Sequence, residues 1–223
     1  MNENILVMVG SPQKKRGNSE AIADSLINKL NEKKLNVSKL CLQKEIGSKD
    51  NALIKTIDKA DIIILSLPIY ENSVPGLVVE IFEQLYRDKD ELSKKSRSVF
   101  VITNSGFSEV EGNKSAKQTC KLFARDMNFK WMGGIGVAPG TLIDGKKLEE
   151  TGKTYKRLNE SLDTIVNAIE NDIDIPKSAF KIMEKPFISP FIYRIAGRVL
   201  QRSTIKKLGK GKFFSTPLQM ENR

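Results

Sequence analysis

Histidine is missing from the chain. Its absence excludes Ser-His-Asp and Cys-His catalysis, histidine-ligated zinc and any imidazole acting as a proton shuttle. Cysteine is nearly missing: Cys41 and Cys120 stand far apart with no CxxC partner. Neither an iron–sulfur cluster, a Cys-rich zinc site nor a disulfide framework is therefore indicated, and no metal site is expected. Both cysteines read as small core residues. No apolar run approaches the roughly 18 residues of a membrane-spanning helix. The start Met1-Asn2-Glu3-Asn4 lacks the basic region of a signal peptide. The expectation is a cytoplasmic protein.

What is present is the composition of a soluble globular protein: 39% hydrophobic, 29% charged, 15 Gly and 8 Pro in 223 residues. That length suits one α/β domain with an extension. The net charge of +10 is unevenly placed, because residues 1–175 carry 26 Lys+Arg against 25 Asp+Glu while residues 176–223 carry 11 against 2. A neutral body, 1–175, and a basic extension, 176–223, are expected. The neutral body speaks against a nucleic-acid groove on the main domain, and any polyanion contact belongs to the last segment.

Along the body, buried-strand patterns alternate with helical ones. Asn4–Val9 is a short continuous apolar run, as a strand covered on both faces requires. A turn-rich segment follows, and from Ser19 the residues Ile22, Leu26, Ile27 and Leu30 recur at helical spacing, with Asn18 or Ser19 available as the N-cap. The same unit repeats as strand Asn36–Cys41, helix Ala52–Lys59, strand Asp61–Leu67, a helix after Gly76, strand Ser98–Thr103, helix Ser115–Met127, strand Phe129–Val137 and helix Lys146–Glu170. Strands alternating with helices predict a doubly wound parallel sheet with helices on both faces. Ligands of such sheets bind beyond the carboxyl ends of the strands. Three loops fall there: Gly10–Ser19, Pro68–Gly76 and Asn104–Gly112.

The first loop, GSPQKKRGNSE, offers Gly, hydroxyls, an amide and three consecutive cations before a helix N-terminus. Unpaired helix N–H groups with the dipole behind them suit a phosphate. An ordinary polar βα turn is the bland reading of the same residues. Competing phosphate folds drop out: no Gly-Lys-Ser/Thr follows a strand, no GxGxxG follows the first strand, and the Asp pair and phosphoacceptor Asp of a receiver domain are replaced by Met8-Val9-Gly10 and Ser66-Leu67-Pro68. The second loop, LPIYENSVPGL, sets Pro, an aromatic and amides beside a buried strand, as the wall of a planar ring requires. The third, TNSGFSEVEGN, repeats that recipe on the next strand.

Together these motifs, GSP…GNSE, LPIYENSVPG and TNSGF, with KWMGGIGVAPG in the fifth strand and its loop, make residues 4–170 resemble the flavodoxin-like NAD(P)H-dependent FMN reductases and NAD(P)H:quinone oxidoreductases. The resemblance implies a five-stranded sheet of order 2-1-3-4-5. It implies that Ser11, Lys14, Asn18 and Ser19 hold the FMN phosphate. Pro68, Ile69, Tyr70, Glu71 and Asn72 would line the isoalloxazine, and Asn104, Ser105, Gly106 and Phe107 would flank its other edge. Relatives often carry Arg or Lys directly after Ser-Pro where this chain has Gln13, so Lys14, Lys15 and Arg16 are alternative phosphate partners. Iron–sulfur relatives carry a cysteine cluster that this chain lacks, and a flavin-only protein is expected.

The implied activity is ping-pong: NADH or NADPH reduces the flavin, then a small acceptor (a quinone, azo compound, nitroaromatic or flavin) takes the electrons in the same place. The cofactor does the difficult chemistry, so no side chain is assigned a catalytic role and the missing histidine is no obstacle. Tyr70 and Phe107 are candidates for shaping the acceptor pocket. A homo-oligomer is expected. The alternatives are a non-enzymatic flavodoxin-type electron carrier, against which the neutral body speaks, and an interaction protein that has lost flavin.

In the extension, Ser189, Pro190 and Gly209 delimit a helix near 190–208. One face is expected to carry Phe191, Ile192, Ile195 and Val199 and the other Arg194, Arg198, Arg202 and Lys206. A basic amphipathic helix can make peripheral contact with an anionic membrane. Docking of the apolar stripe on the body or a partner subunit is the favoured expectation.

Overall fold

The computed structural model describes residues 3–13, 15–45 and 52–208. Its centre is a parallel five-stranded sheet, β1 (Asn4–Val9), β2 (Asn36–Cys41), β3 (Ile62–Pro68), β4 (Ser98–Asn104) and β5 (Lys130–Val137), in the order β2-β1-β3-β4-β5. Order and parallel pairing agree with the expected flavodoxin-like sheet. The pleat sends alternate side chains of each strand to opposite faces. Ile5, Val7 and Val9 of β1 join one core layer with Ile64 and Phe100, while Leu6 and Met8 join the other with Leu65 and Val101. Burial on both sides explains why the inner strands read as unbroken apolar runs.

The first layer is closed by α1 (Asn18–Glu32) and α5 (Lys156–Glu170), through Ile22, Leu26, Leu158, Leu162 and Ile165. The second is closed by α2 (Ala52–Lys59), α3 (Gly76–Arg87) and α4 (Asn113–Asp126), through Leu53, Ile57, Val78, Ile81 and Cys120. From β1 the chain turns outward to β2, then crosses back to β3 on the other side of β1. The strand order reverses between β1 and β3, which opens a crevice at their carboxyl ends. Gly10 lies at that point because a Cβ there would stand 2.4 Å from Leu67 and 2.6 Å from Val78.

Two local expectations are corrected. Helix α1 begins one residue early, at Asn18, with Gly17 in the cap position and no side-chain cap. Helix α5 begins at Lys156 and not at Lys146, since Leu148–Tyr155 is a 3-10 segment broken at Gly152, whose φ of 62° lies in the left-handed region. The first compact unit runs Met1–Phe187, past the 175/176 composition boundary. Helix α6 (Lys177–Lys181) belongs to it: Ala179 and Met183 are buried in the core, and the Ser161 hydroxyl donates to Ala179 O at 2.9 Å. Charge changes at Pro176, but burial does not.

The second unit is Ile188–Arg223, and its described element is α7 (Pro190–Leu208). Gly209 and the Lys206 side chain lie outside the described residues. Helix geometry corrects the expected two faces. At about 100° per residue, Arg194 is only about 60° from Phe191, and the same offset separates Arg198 from Ile195 and Arg202 from Val199. The apolar and basic rows therefore run side by side. Among the described residues no helix is long and apolar enough to cross a membrane.

Candidate active site

The loop after β1 reaches α1 with its backbone amides in order. The first intrahelical N–H bond at this end is from Ala21 to Gly17 O. The N–H groups of Asn18, Ser19 and Glu20 precede it and have no acceptor within the helix, as at every helix start. A Cβ on Gly17 would sit 3.1 Å from Gln13 Oε1 and 3.6 Å from Ser11 Oγ. Ser11, Gln13, Arg16 and Gly17 line a cleft of about 380 Å³. Of the three cations, Arg16 lines the cleft, Lys15 does not, and Lys14 lies outside the described residues. Arg16 also pairs with Asp24 at 3.1 Å, and Asp24 is held from the other side by Lys39 at 2.7 Å. Burial by itself would lower the Lys39 pKa, but the bonds to Asp24 and Glu20 outweigh it and raise the pKa.

The cleft's floor is made where β3 and β4 end. Ser19 is buried, and its Oγ accepts a 2.5 Å bond from Asn104 Nδ2, which also donates to Leu67 O at 3.1 Å. This joins α1, β3 and β4 directly beneath the cleft. Pro68, Ile69 and Tyr70 line the cleft from the β3 side and Gly106 from the β4 side. Nearly all the polar groups that face it are neutral amides, hydroxyls and backbone. Among the described residues, Arg16 and Asp144 are the charged members of its lining.

Asn18 does not face an anion with its amide. Its Nδ2 donates to Gly140 O and its Oδ1 accepts from Gly145 N, each at 2.9 Å. The side chain thus ties the loop after β5 to the first loop and completes the cleft with Thr141, Asp144 and Gly145. The fit is close: a Cβ on Gly145 would lie 2.8 Å from Arg16 O. These β5-loop residues, together with Gln13 and Gly17, are not among the site residues expected from the sequence, whereas Arg16 is one of the three alternative phosphate partners. The turn pair Asp144-Gly145 was a signal for the loop's shape, but the bonds that bring it to Asn18 span 122 and 127 residues.

Four expected residues fall elsewhere. Glu71, Asn72, Ser105 and Phe107 line an adjoining cleft of about 580 Å³ with Glu109, Glu111 and Lys114. Glu71 and Asn72 form the tip of a tight turn at φ 48° and 63°, closed by reciprocal backbone bonds between Tyr70 and Ser73. Two successive non-glycine residues with positive φ mark a type I′ geometry that Asn tolerates and Glu does not favour. Asn72 packs against Gly112, where a Cβ would meet Asn72 Oδ1 at 2.6 Å. Tyr70 and Phe107 are exposed, at 45% and 63%. The structure therefore brings Ser11, Asn18, Ser19, Pro68, Ile69, Tyr70, Asn104 and Gly106 to one cleft and places the other four next to it. Among the described residues no cluster of potential metal ligands occurs.

A helix N-terminus with uncommitted amides, an arginine at its edge and an apolar wall of Pro68 and Ile69 fit a phosphorylated planar ring. The chain is similar to solved structures that share this fold. A flavone reductase is 14% identical, with 98% of this chain and 95% of that chain covered at a TM-score of 0.58. RosB, solved with bound 8-demethyl-8-formylriboflavin-5'-phosphate, is 11% identical, with 89% and 87% covered at 0.58. A WrbA-like flavodoxin from Agrobacterium tumefaciens is 14% identical, with 76% and 98% covered at 0.55. No curated protein matches the chain in sequence. At these identities the structural likeness establishes the flavodoxin-like fold alone. The family is established by sequence, since the profile of the NADPH-dependent FMN reductases matches residues 4–135, from β1 through most of β5. With its three strand-end loops meeting at one cleft, the chain belongs to the NADPH-dependent FMN reductase family.

Proposed function

We propose that this FMN-dependent oxidoreductase binds FMN in the cleft at the ends of β1, β3 and β4, with the phosphate at the first loop. The observation that carries the reading is the meeting of Arg16, Gly17 and the first amides of α1 with Pro68, Ile69 and Gly106 in one cleft. The amides of Asn18, Ser19 and Glu20 and the hydroxyl of Ser11 donate to the phosphate, and Arg16 offsets its charge. Asn18 acts through its latch on residues 140–145. Pro68, Ile69 and Tyr70 support one side of the ring, and the backbone at Gly106 lies along its edge.

When bound, FMN takes two electrons from NADH or NADPH and yields them to a small acceptor in a ping-pong cycle. The chain's contribution is position: Tyr70 and Phe107 present exposed rings beside which a planar donor or acceptor stacks, and Glu71, Asn72 and Ser105 shape the adjoining cleft. The reading includes a quinone, azo, nitroaromatic or flavin acceptor and a homo-oligomer. A flavodoxin-type carrier is disfavoured by the near-neutral body, 26 cations against 25 anions in residues 1–175.

The test is titration of flavin-free protein with FMN, FAD and riboflavin, followed by anaerobic mixing with each nicotinamide. FMN binding tighter than riboflavin and direct bleaching by NADH or NADPH are expected. Equal affinity for riboflavin contradicts the phosphate assignment, and bleaching only through a protein partner returns the carrier reading.

A further inference from the structure

Helix α7 displays large apolar side chains to solvent: Phe191 is 65% exposed, Ile192 57%, Ile195 47% and Val199 60%. These are four of the large hydrophobic side chains most open to water among the described residues, and they lie within nine positions of one helix. Arg194, Arg198 and Arg202, also exposed, form the adjacent row. The sequence of the helix, PFIYRIAGRVLQRSTIKKL, contains no Asp or Glu. Residues 176–223 as a whole carry 11 cations against 2 anions.

From these features we infer that α7 is an interfacial helix that binds an anionic lipid surface. Apolar side chains entering the acyl boundary need cations at the level of the headgroups, and rows side by side supply both at once. A second copy of the helix is a poorer occupant: a two-fold interface sets each patch against itself, which brings arginine rows without a single carboxylate toward one another. Nucleic acid would use the arginines and leave Phe191, Ile192, Ile195 and Val199 in water. A lipid surface accounts for both rows.

The experiment is co-sedimentation of the intact, FMN-loaded chain with vesicles of phosphatidylcholine alone or mixed with phosphatidylglycerol, at low and raised salt. Binding to the phosphatidylglycerol vesicles only, weakened by salt, is expected. Since each cation near the surface is worth about fivefold in partition, Arg194→Gln, Arg198→Gln and Arg202→Gln together should cost about a hundredfold. Ile192→Ser with Ile195→Ser and Val199→Ser should also abolish binding. All these sites lie outside the first compact unit, so retained flavin absorbance and light-scattering mass certify each variant. An intact chain that ignores anionic vesicles overturns the inference. So does a serine variant that keeps its vesicle binding but drops in oligomeric mass, which assigns the row to a second copy. Binding of duplex DNA, without vesicle binding, that survives the serine substitutions overturns it in favour of nucleic acid.

Discussion

Arg16, Asn18 and Asp144 divide the work of the cleft by charge and by geometry. With the phosphate placed as proposed, Arg16→Gln would remove a charge-assisted bond of about 1.5–3 kcal/mol, so FMN affinity should fall at least about tenfold by fluorescence titration, while riboflavin affinity stays level. Asp144→Asn removes a carboxylate of the cleft's lining and should tighten FMN in the same titration, since like charge then no longer opposes the phosphate. Unchanged affinity in both variants would move the phosphate away from the first loop. Asn18→Ala breaks two 2.9 Å bonds to residues 140 and 145, each worth about 1 kcal/mol net, and should make that loop more susceptible to proteolysis. Cys120 supplies a pH test. Burial pushes its thiol up to about 12 from 9.0. A group raised in the folded state favours folding at pH below its unfolded value, and that contribution is lost as pH rises from about 9 toward 12. In the native protein at pH 8 a thiol reagent should label Cys41 alone, with Cys120 reacting only on unfolding. Rapid labelling of Cys120 would mean that the α4 layer opens readily.

The strands and the long helices were legible in the sequence because burial on both faces leaves an unmistakable apolar run, as in Ile62–Leu67 and Val99–Ile102. Element ends were less so. The start of α5 depends on one left-handed glycine, Gly152, and α6 is five residues long, too short to show a period. Arg97 was not legible at all: it is 2% exposed just before β4 and donates to Ile57 O, Asp58 O, Ser93 O and Lys95 O and to the Asp58 carboxylate. It pins the end of α2 to the sheet. Arg97→Met should lower the denaturant midpoint, because the carbonyls of Ile57, Asp58, Ser93 and Lys95 lose a buried donor together. At the opposite end of the sheet, Gly10→Ala should cost about 1–3 kcal/mol, since its Cβ overlaps Leu67 and Val78. A melting temperature unchanged in the glycine variant would show that the crevice relaxes more easily than its packing indicates.

Across the whole molecule, a near-neutral catalytic body is joined to a helix whose charge is of one sign, and the sequence shows this division in its composition alone. The general place of the site was also legible, because a doubly wound sheet fixes where its ligand lies. The partition of the residues within that place was not. Ser19 and Asn104 turned inward to hold each other, and the β5 loop entered through contacts that no local pattern encodes. In the proposed function one cleft holds FMN by its phosphate and lets a nicotinamide reach the ring. The most direct measurement is the visible spectrum of flavin-free protein reconstituted with stoichiometric FMN under anaerobic conditions, before and after addition of NADPH or NADH. A bound-flavin spectrum that bleaches with one of them and recovers on adding a quinone is expected, with the bleaching amplitude lost at the same FMN concentration in Arg16→Gln. A protein that leaves FMN unbound, or binds it and stays yellow with both nicotinamides, would contradict it.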